Sequence, residues 1–217
     1  IVGAKGVTCY TVPYTLASRV NVLPGSLSGT LFPRFSATSE EERHRLMDKA
    51  VRSLSVILTP LIIAGIFIME PFLKWWVGAD VTRDAAFVGE IIALGMWFNG
   101  LAYIPFARLQ AQGRPDLVAK CHLAEIIPYL AFLFLALRAW GVIGAALAWS
   151  LRVFADAILL FWIGGVAPRY FKAHLIPLVL LGMAAAAVFA FPLGSVSRWA
   201  VGGGTLLGSL VWGWWKA

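Results

Sequence analysis

An arginine with no counter-charge in helical reach is the residue of this sequence best placed to bind something. The positions that a helix would bring beside Arg19 are Thr15, Leu16, Val22 and Leu23, none of them acidic. On a helical wheel Thr8, Thr11, Thr15, Arg19 and Ser26 fall within an arc of about 80°, a polar stripe on an otherwise apolar stretch, with Asn21 nearby. A desolvated guanidinium grips phosphate oxygens bidentately, so the stripe suits an anionic ligand. Snorkelling to an interface, or pairing with an acid from another part of the chain, are the other uses open to Arg19.

Arg152 and Asp156 form the second constellation. They lie four residues apart in an apolar run, a spacing that permits an ion pair on one helical face or the lining of a cavity. At mid-bilayer the two charges cost about 5–7 kcal/mol, against roughly 3–7 returned by the Val, Ile, Leu and Phe residues between 140 and 163. Their face must therefore point into a bundle or toward water. Glu70, Glu90 and Glu125 fall toward the ends of apolar runs, where water reaches a carboxylate. Glu90, Glu125 and Asp156 are thus candidates for proton or sodium coupling. His122 and Glu125 share a helical face, but two ligands do not make a metal site. No Gly-rich phosphate loop, nucleophile–His–acid arrangement or acid cluster near a membrane surface is present, so no catalytic residue and no cofactor is expected. Cys9 and Cys121 lie in or beside apolar segments without paired spacing, which argues against a disulfide framework or zinc.

The elements that must position these groups are membrane spans. Of 217 residues 60% are hydrophobic and 13% charged, a balance that a soluble domain cannot cover with polar surface. Seven runs approach the roughly 20 residues needed to cross a bilayer: Ile1–Phe32, Ser53–Leu73, Ala85–Ala107, Cys121–Arg138, Trp140–Ile163, Leu175–Leu193 and Trp199–Trp215. The expected fold is an all-α, polytopic transmembrane helical bundle of about seven spans.

The net charge of +7 does not indicate nucleic acid, because Lys and Arg fall mostly between apolar runs rather than on one soluble face. One set of connections carries Arg34, Arg43, Arg45, Lys49, Arg52, Arg108, Arg114, Lys120, Arg169, Lys172 and Lys216. The other carries Lys5, Lys74, Arg83, Arg138 and Arg198. The richer set belongs in the cytoplasm, which also places the C-terminus there.

Ser39 followed by Glu40, Glu41 and Glu42 reads as a capped helix start, and residues 36–52 are expected to form a short surface helix. Trp75, Trp76, Trp140, Trp212, Trp214 and Trp215 sit at span ends, where indoles anchor in the headgroup zone. Small residues at Gly25 and Gly29, Gly144 and Ala148, and Gly204 and Gly208 permit close helix approach. Pro13, Pro24, Pro60, Pro105, Pro128 and Pro177 allow the helices to bend.

Several ordered segments resemble polysaccharide flippases of the multidrug/oligosaccharidyl-lipid/polysaccharide exporter superfamily. Tyr10-Thr-Val-Pro-Tyr14, Ala17-Ser-Arg19, Leu23-Pro24 and Leu31-Phe-Pro-Arg-Phe-Ser36 are similar to the helix that opens the second half of those exporters. Glu70-Pro-Phe-Leu-Lys-Trp-Trp-Val-Gly78 resembles the segment that reaches the periplasm and turns at a Gly. Ala111-Gln-Gly-Arg114 resembles a short cytoplasmic turn before a long apolar pair, which here contains Gly141-Val-Ile-Gly-Ala-Ala146.

The resemblance covers most of the chain. It implies that residues 1–217 are the C-terminal bundle of a two-bundle exporter, a reading that a start at Ile-Val-Gly-Ala rather than Met also suggests. It further implies alternating access across the bacterial cytoplasmic membrane and an undecaprenyl-diphosphate-linked oligosaccharide as substrate. Arg19, Arg152, Asp156, Asn21 and Thr15 would then line the cavity. The implied partners are membrane lipids, the N-terminal bundle and polysaccharide assembly proteins. A drug/cation antiporter or lipid II flippase of the same superfamily would instead display intramembrane acids, of which Asp156 with Glu90 is the best set. The membrane half of a polysaccharide polymerase or lipid-linked glycosyltransferase would need a large catalytic loop, and the loops here are short.

Overall fold

The computed structural model describes residues 3–78, 82–165, 174–192 and 195–216. Among them the order is α1 (Gly3–Ser18), a single 3-10 turn (Arg19–Asn21), α2 (Val22–Ala37), α3 (Glu40–Trp76), α4 (Thr82–Ala111), α5 (Pro115–Ile163), α6 (Leu175–Ala190) and α7 (Val196–Lys216). This is an all-α membrane bundle. On length and composition α3, α4 and α5 can each cross a bilayer, and α6 is a shorter apolar helix. The expected span boundaries at Ile1 and Leu193, and the charges Arg169 and Lys172, lie outside the described residues.

The first apolar run is not one helix. Pro24 has no N–H to offer the Val20 carbonyl four residues back, and the chain tightens just before it into the 3-10 turn at Arg19–Asn21, where the Val22 amide donates to the Arg19 carbonyl. The other interior prolines, Pro13, Pro33, Pro60, Pro71, Pro105 and Pro128, are absorbed without a break in the helix at the proline.

Residues 36–52 also depart from expectation. Ser39 does cap a helix, its side chain accepting from the Glu42 amide, but that helix continues to Trp76 instead of ending at the surface. Leu46, Met47, Ala50, Val51 and Leu54 carry one apolar face straight into the span, and no breaker intervenes. At 37 residues α3 is about 55 Å long, so its first turns project beyond a hydrocarbon core of about 30 Å.

The centre of the bundle is α4, which packs against α1, α2, α3 and α5 and is the most buried of the long helices. Trp97 on α4 is fully buried and its indole N–H donates to Thr59 Oγ1 of α3 at 3.1 Å; Thr59 in turn donates to the Ser55 carbonyl. Gly95 lets the second arm of α5 press close, since a β-carbon there would lie 2.7 Å from Ser150 and Trp149. Of the small residues expected to permit close approach, Gly144 makes the tightest contact of any glycine, against the Ala136 carbonyl across the α5 fold, and Gly89, Gly95 and Gly100 of α4 are also tight, whereas Gly29 and Gly204 have open space around them.

Helix α5 folds back on itself. Gly141 has φ +57° and ψ −132°, backbone that residues with a β-carbon rarely adopt, and it separates the arms 115–140 and 142–163. His122 and Asp156 would be about 51 Å apart along a straight helix, yet they lie 3.2 Å from one another. The expected boundary between the Cys121–Arg138 and Trp140–Ile163 runs thus falls at Gly141. Gly78 has φ +99° just after α3 ends, in keeping with the Gly turn implied by the resemblance.

Arg108 and Arg198, one from each charge set, lie toward opposite ends of the bundle. Glu40, Arg108 and the Gly164 carbonyl meet at one end, and Glu70, Glu90 and Arg198 meet near the other. Trp75, Trp76, Trp140, Trp214 and Trp215 are exposed as anchors should be. Trp212 is buried and packs inside the bundle, so it is not an anchor.

Candidate functional site

Arg19 lies on the 3-10 turn, exposed, with no partner among the described residues. Thr8, Thr11, Thr15 and Ser26 share its exposure, so the whole stripe faces outward from this chain. The hydroxyls of Thr8 and Thr15 donate to carbonyls one turn back, at 3.3 and 2.8 Å, and satisfy themselves within the helix. Arg19 has no such recourse. Asn21, at the far end of the same turn, accepts from Asn99 Nδ2 of α4 at 3.2 Å and thereby joins the stripe to the interior.

Asn99 also lines a cavity of about 240 Å³ whose wall includes Tyr103, His122, Arg152 and Asp156. Arg152 and Asp156 do not pair with each other as their spacing permits. The fold at Gly141 supplies nearer partners: Arg152 Nε lies 3.4 Å from Glu125 Oε2 with its guanidinium over the Tyr129 ring, and Asp156 Oδ1 lies 3.2 Å from His122 Nε2. Two carboxylates therefore face one arginine and one histidine across the hairpin. Neither oxygen of Glu125, nor Asp156 Oδ1, has a well-aligned hydrogen bond, which leaves acceptor capacity on Asp156 at the cavity wall and on Glu125 beside Arg152. No group of His, Cys, Asp and Glu among the described residues is arranged to hold a metal ion. Cys9 and Cys121 are free and buried.

Glu90 does not belong to this cavity. It is 3% exposed and, with Glu70, faces Arg198, whose Nη1 lies 2.9 Å from Glu70 Oε2 and Nη2 3.4 Å from Glu90 Oε1. The triad borders a second cavity, of about 790 Å³, with Arg83 and Asp84 at its wall. Asp156 and Glu90 thus line different cavities.

At the opposite end Arg108 is almost fully buried. It contacts Glu40, both ring nitrogens of His44 and the Gly164 carbonyl, fastening the ends of α3, α4 and α5. Arg43 and Gln112 share the Glu40 carboxylate. Burial pushes the Glu40 carboxyl up, but Arg43, Arg108 and the Gln112 amide outweigh it and hold the carboxyl below its ordinary value.

Against known proteins, no family model matches the chain and no solved structure matches it. A curated Shigella flexneri protein described as "Putative O-antigen transporter" is 34% identical over 164 residues, 75% of this chain and 39% of that protein. The chain is an O-antigen-transporter homologue. It spans about two fifths of the length of the curated relative that it matches.

In this homologue the candidate residues therefore divide. Asn21, Arg152, Asp156 and Glu125 are brought toward one polar seam through Asn99 and the α5 hairpin, while Arg19 and Thr15 stay on the outward stripe. Local spacing does not single out Asn99, Tyr103 or Tyr129, because Asn99 meets Asn21 at a separation of 78 residues, Tyr129 meets Arg152 only across the fold at Gly141, and Tyr103 joins them only at the cavity wall. Asn99, a lone amide in an otherwise apolar run, carried the one readable signal.

Proposed function

We propose that this chain forms one bundle of a polysaccharide flippase, moving an undecaprenyl-diphosphate-linked oligosaccharide across the bacterial cytoplasmic membrane by alternating access. The transport role comes from the 34% identity to the O-antigen transporter, whose described role is movement rather than catalysis. The choice of an anionic substrate rests on one observation: Arg19 is exposed on a polar stripe and unpartnered, whereas Arg108, Arg152 and Arg198 are each engaged with a carboxylate. In this reading the stripe faces a cavity shared with an N-terminal bundle, and Arg19 holds the diphosphate or an acidic sugar. Thr15 and Asn21 flank it, while Arg152 and Asp156 line the seam behind.

The proposed topology has seven crossings, α1 and α2 together making the first and the two arms of α5 counting separately. The Arg108 end and the C-terminus lie in the cytoplasm. Coupling to protons or sodium through Glu125 and Asp156 belongs to the same reading, as do contacts with polysaccharide assembly proteins.

The test is Arg19→Ala in the full-length protein, scored for surface polysaccharide and for the amount of protein in the membrane. The expected result is loss of polysaccharide with insertion intact, and a partial defect for Arg19→Lys, which keeps the charge but not the bidentate fork. Normal polysaccharide from the Ala variant overturns the role of Arg19.

A further inference from the structure

The end of the bundle that carries Arg108 has a second basic feature, apart from the Arg19 stripe and the Arg152–Asp156 cavity. Lys49 and Arg52 are exposed on α3, have no partner among the described residues, and share a face with Val56, all three within about 60° of arc. At Val56 the helix meets α7: a β-carbon on Gly213 would lie 2.9 Å from Val56 Cγ1, so the two backbones run unusually close there. Arg198 in the first turn of α7 lies beside Glu70 and Glu90, and Gly213 lies beside Val56, so α7 runs antiparallel to α3.

From this contact toward the Arg108 end, Arg52 is one turn along α3, about 6 Å, and Lys216 is one turn along α7, about 4.5 Å. The two cations stand at nearly the same level on adjacent helices, with Lys49 one turn beyond. Axes about 8 Å apart put all three within side-chain reach of a single phosphate. The depth of this level is fixed independently. Trp214 and Trp215 are among the most exposed large side chains of the chain, and Lys216 Nζ stacks on the Trp215 ring at 4.4 Å. Farther from this end, Ile57 on α3 and Leu207 and Val211 on α7 are exposed and apolar, as acyl chains require.

Charge does not cancel the patch. Arg45 is neutralised by Glu41 at 2.6 Å, and Asp48 subtracts one charge from the three of Lys49, Arg52 and Lys216, which leaves +2. We propose that Lys49, Arg52 and Lys216 form a binding site for the headgroup phosphate of an anionic phospholipid, with its acyl chains lying along α3 and α7. The site depends on membrane insertion and not on the transported substrate.

Native mass spectrometry of the full-length protein, released from detergent containing equal phosphatidylglycerol and phosphatidylcholine, tests this directly. The wild type should retain phosphatidylglycerol in preference, each cation contributing about fivefold. The triple variant Lys49→Gln, Arg52→Gln, Lys216→Gln should bring the ratio near one, and Lys49→Arg with Lys216→Arg should keep it. Arg52→Gln alone should lower it by about fivefold, which covers the case in which the triple variant does not insert. The control Arg34→Gln, Arg114→Gln, Lys120→Gln removes three charges from the same end. Absence of a preference in the wild type, an unchanged ratio in the triple or the single variant, or an equal loss in the control each overturns the proposal.

Discussion

Replacing Arg198 by Met keeps most of the buried aliphatic stem and removes the charge that faces Glu70 and Glu90. Arg198 is 3% exposed, Glu90 5% and Glu70 22% in their side chains, so Glu90 is the carboxylate left without solvent. Removing one member of a buried ion pair costs about 3–5 kcal/mol, chiefly through the charge left behind. For a domain of this size that corresponds to a fall of roughly 6–20 °C in the unfolding midpoint. Adding Glu90→Gln removes the stranded charge, and the double variant should regain about half or more of the loss. Glu70→Gln should restore less, because the Glu70 side chain keeps 22% of its surface exposed against 5% for Glu90. The assay is the temperature at which full-length protein in mild detergent leaves the monodisperse peak on size-exclusion chromatography. A midpoint unchanged by Arg198→Met, or a double variant no more stable than the single, refutes the argument that Arg198 compensates buried charge.

Two further outcomes follow from local geometry. The Glu40 carboxyl is held below its ordinary value of 4.5, so its contribution is complete above that value and is lost as pH falls through the lowered one. Amides of residues 40–46 should accordingly lose protection from hydrogen exchange as pH drops below about 4.5, after correction for intrinsic rates, and Glu40→Gln should abolish the difference. Gly141→Ala places a β-carbon on left-handed backbone and should cost about 1–3 kcal/mol. Gly182→Ala, in open helical space, should be neutral or slightly stabilising in the same thermal assay.

Helices were legible where hydropathy and caps agree. Ser39 with Glu40–Glu42 marked the start of α3, and the alternation of Lys and Arg separated the Arg108 end from the Arg198 end before any contact was known. A short surface helix over residues 36–52 separate from a span at Ser53–Leu73 does not form, and Leu46, Met47, Ala50, Val51 and Leu54 already continue the helical spacing across that boundary. The break at Arg19 had a visible cause in Pro24. What the sequence hides is pairing between elements. Periodicity compares a residue with neighbours three or four away, whereas Arg152 finds Glu125 at a separation of 27 and Arg198 finds Glu90 at 108. Arg108 and Arg198 read as surface topology charges for the same reason, since burial by other helices leaves no mark on local hydropathy.

That distinction bears on Arg19. The buried arginines show how this bundle treats a cation it keeps for structure: Arg108 and Arg198 are each nine-tenths or more buried and contact acids from another helix. Arg19 is left outside, on a turn whose Asn21 is tied inward to Asn99 while the guanidinium is not. Besides snorkelling to an interface, two partners are open to it: an acid outside the described residues, or an anionic ligand. They differ genetically. If an acid is the partner, Arg19→Leu strands a carboxylate, and second-site variants that neutralise that carboxylate should restore function. If the partner is the substrate's phosphate, no loss of an acid can compensate, and suppressors should instead introduce a new Arg or Lys along the stripe at Thr11, Thr15 or Ser26. Selection for restored surface polysaccharide in an Arg19→Leu strain, followed by sequencing, separates the two. Recovery of acid-neutralising suppressors would refute the assignment of Arg19 to substrate.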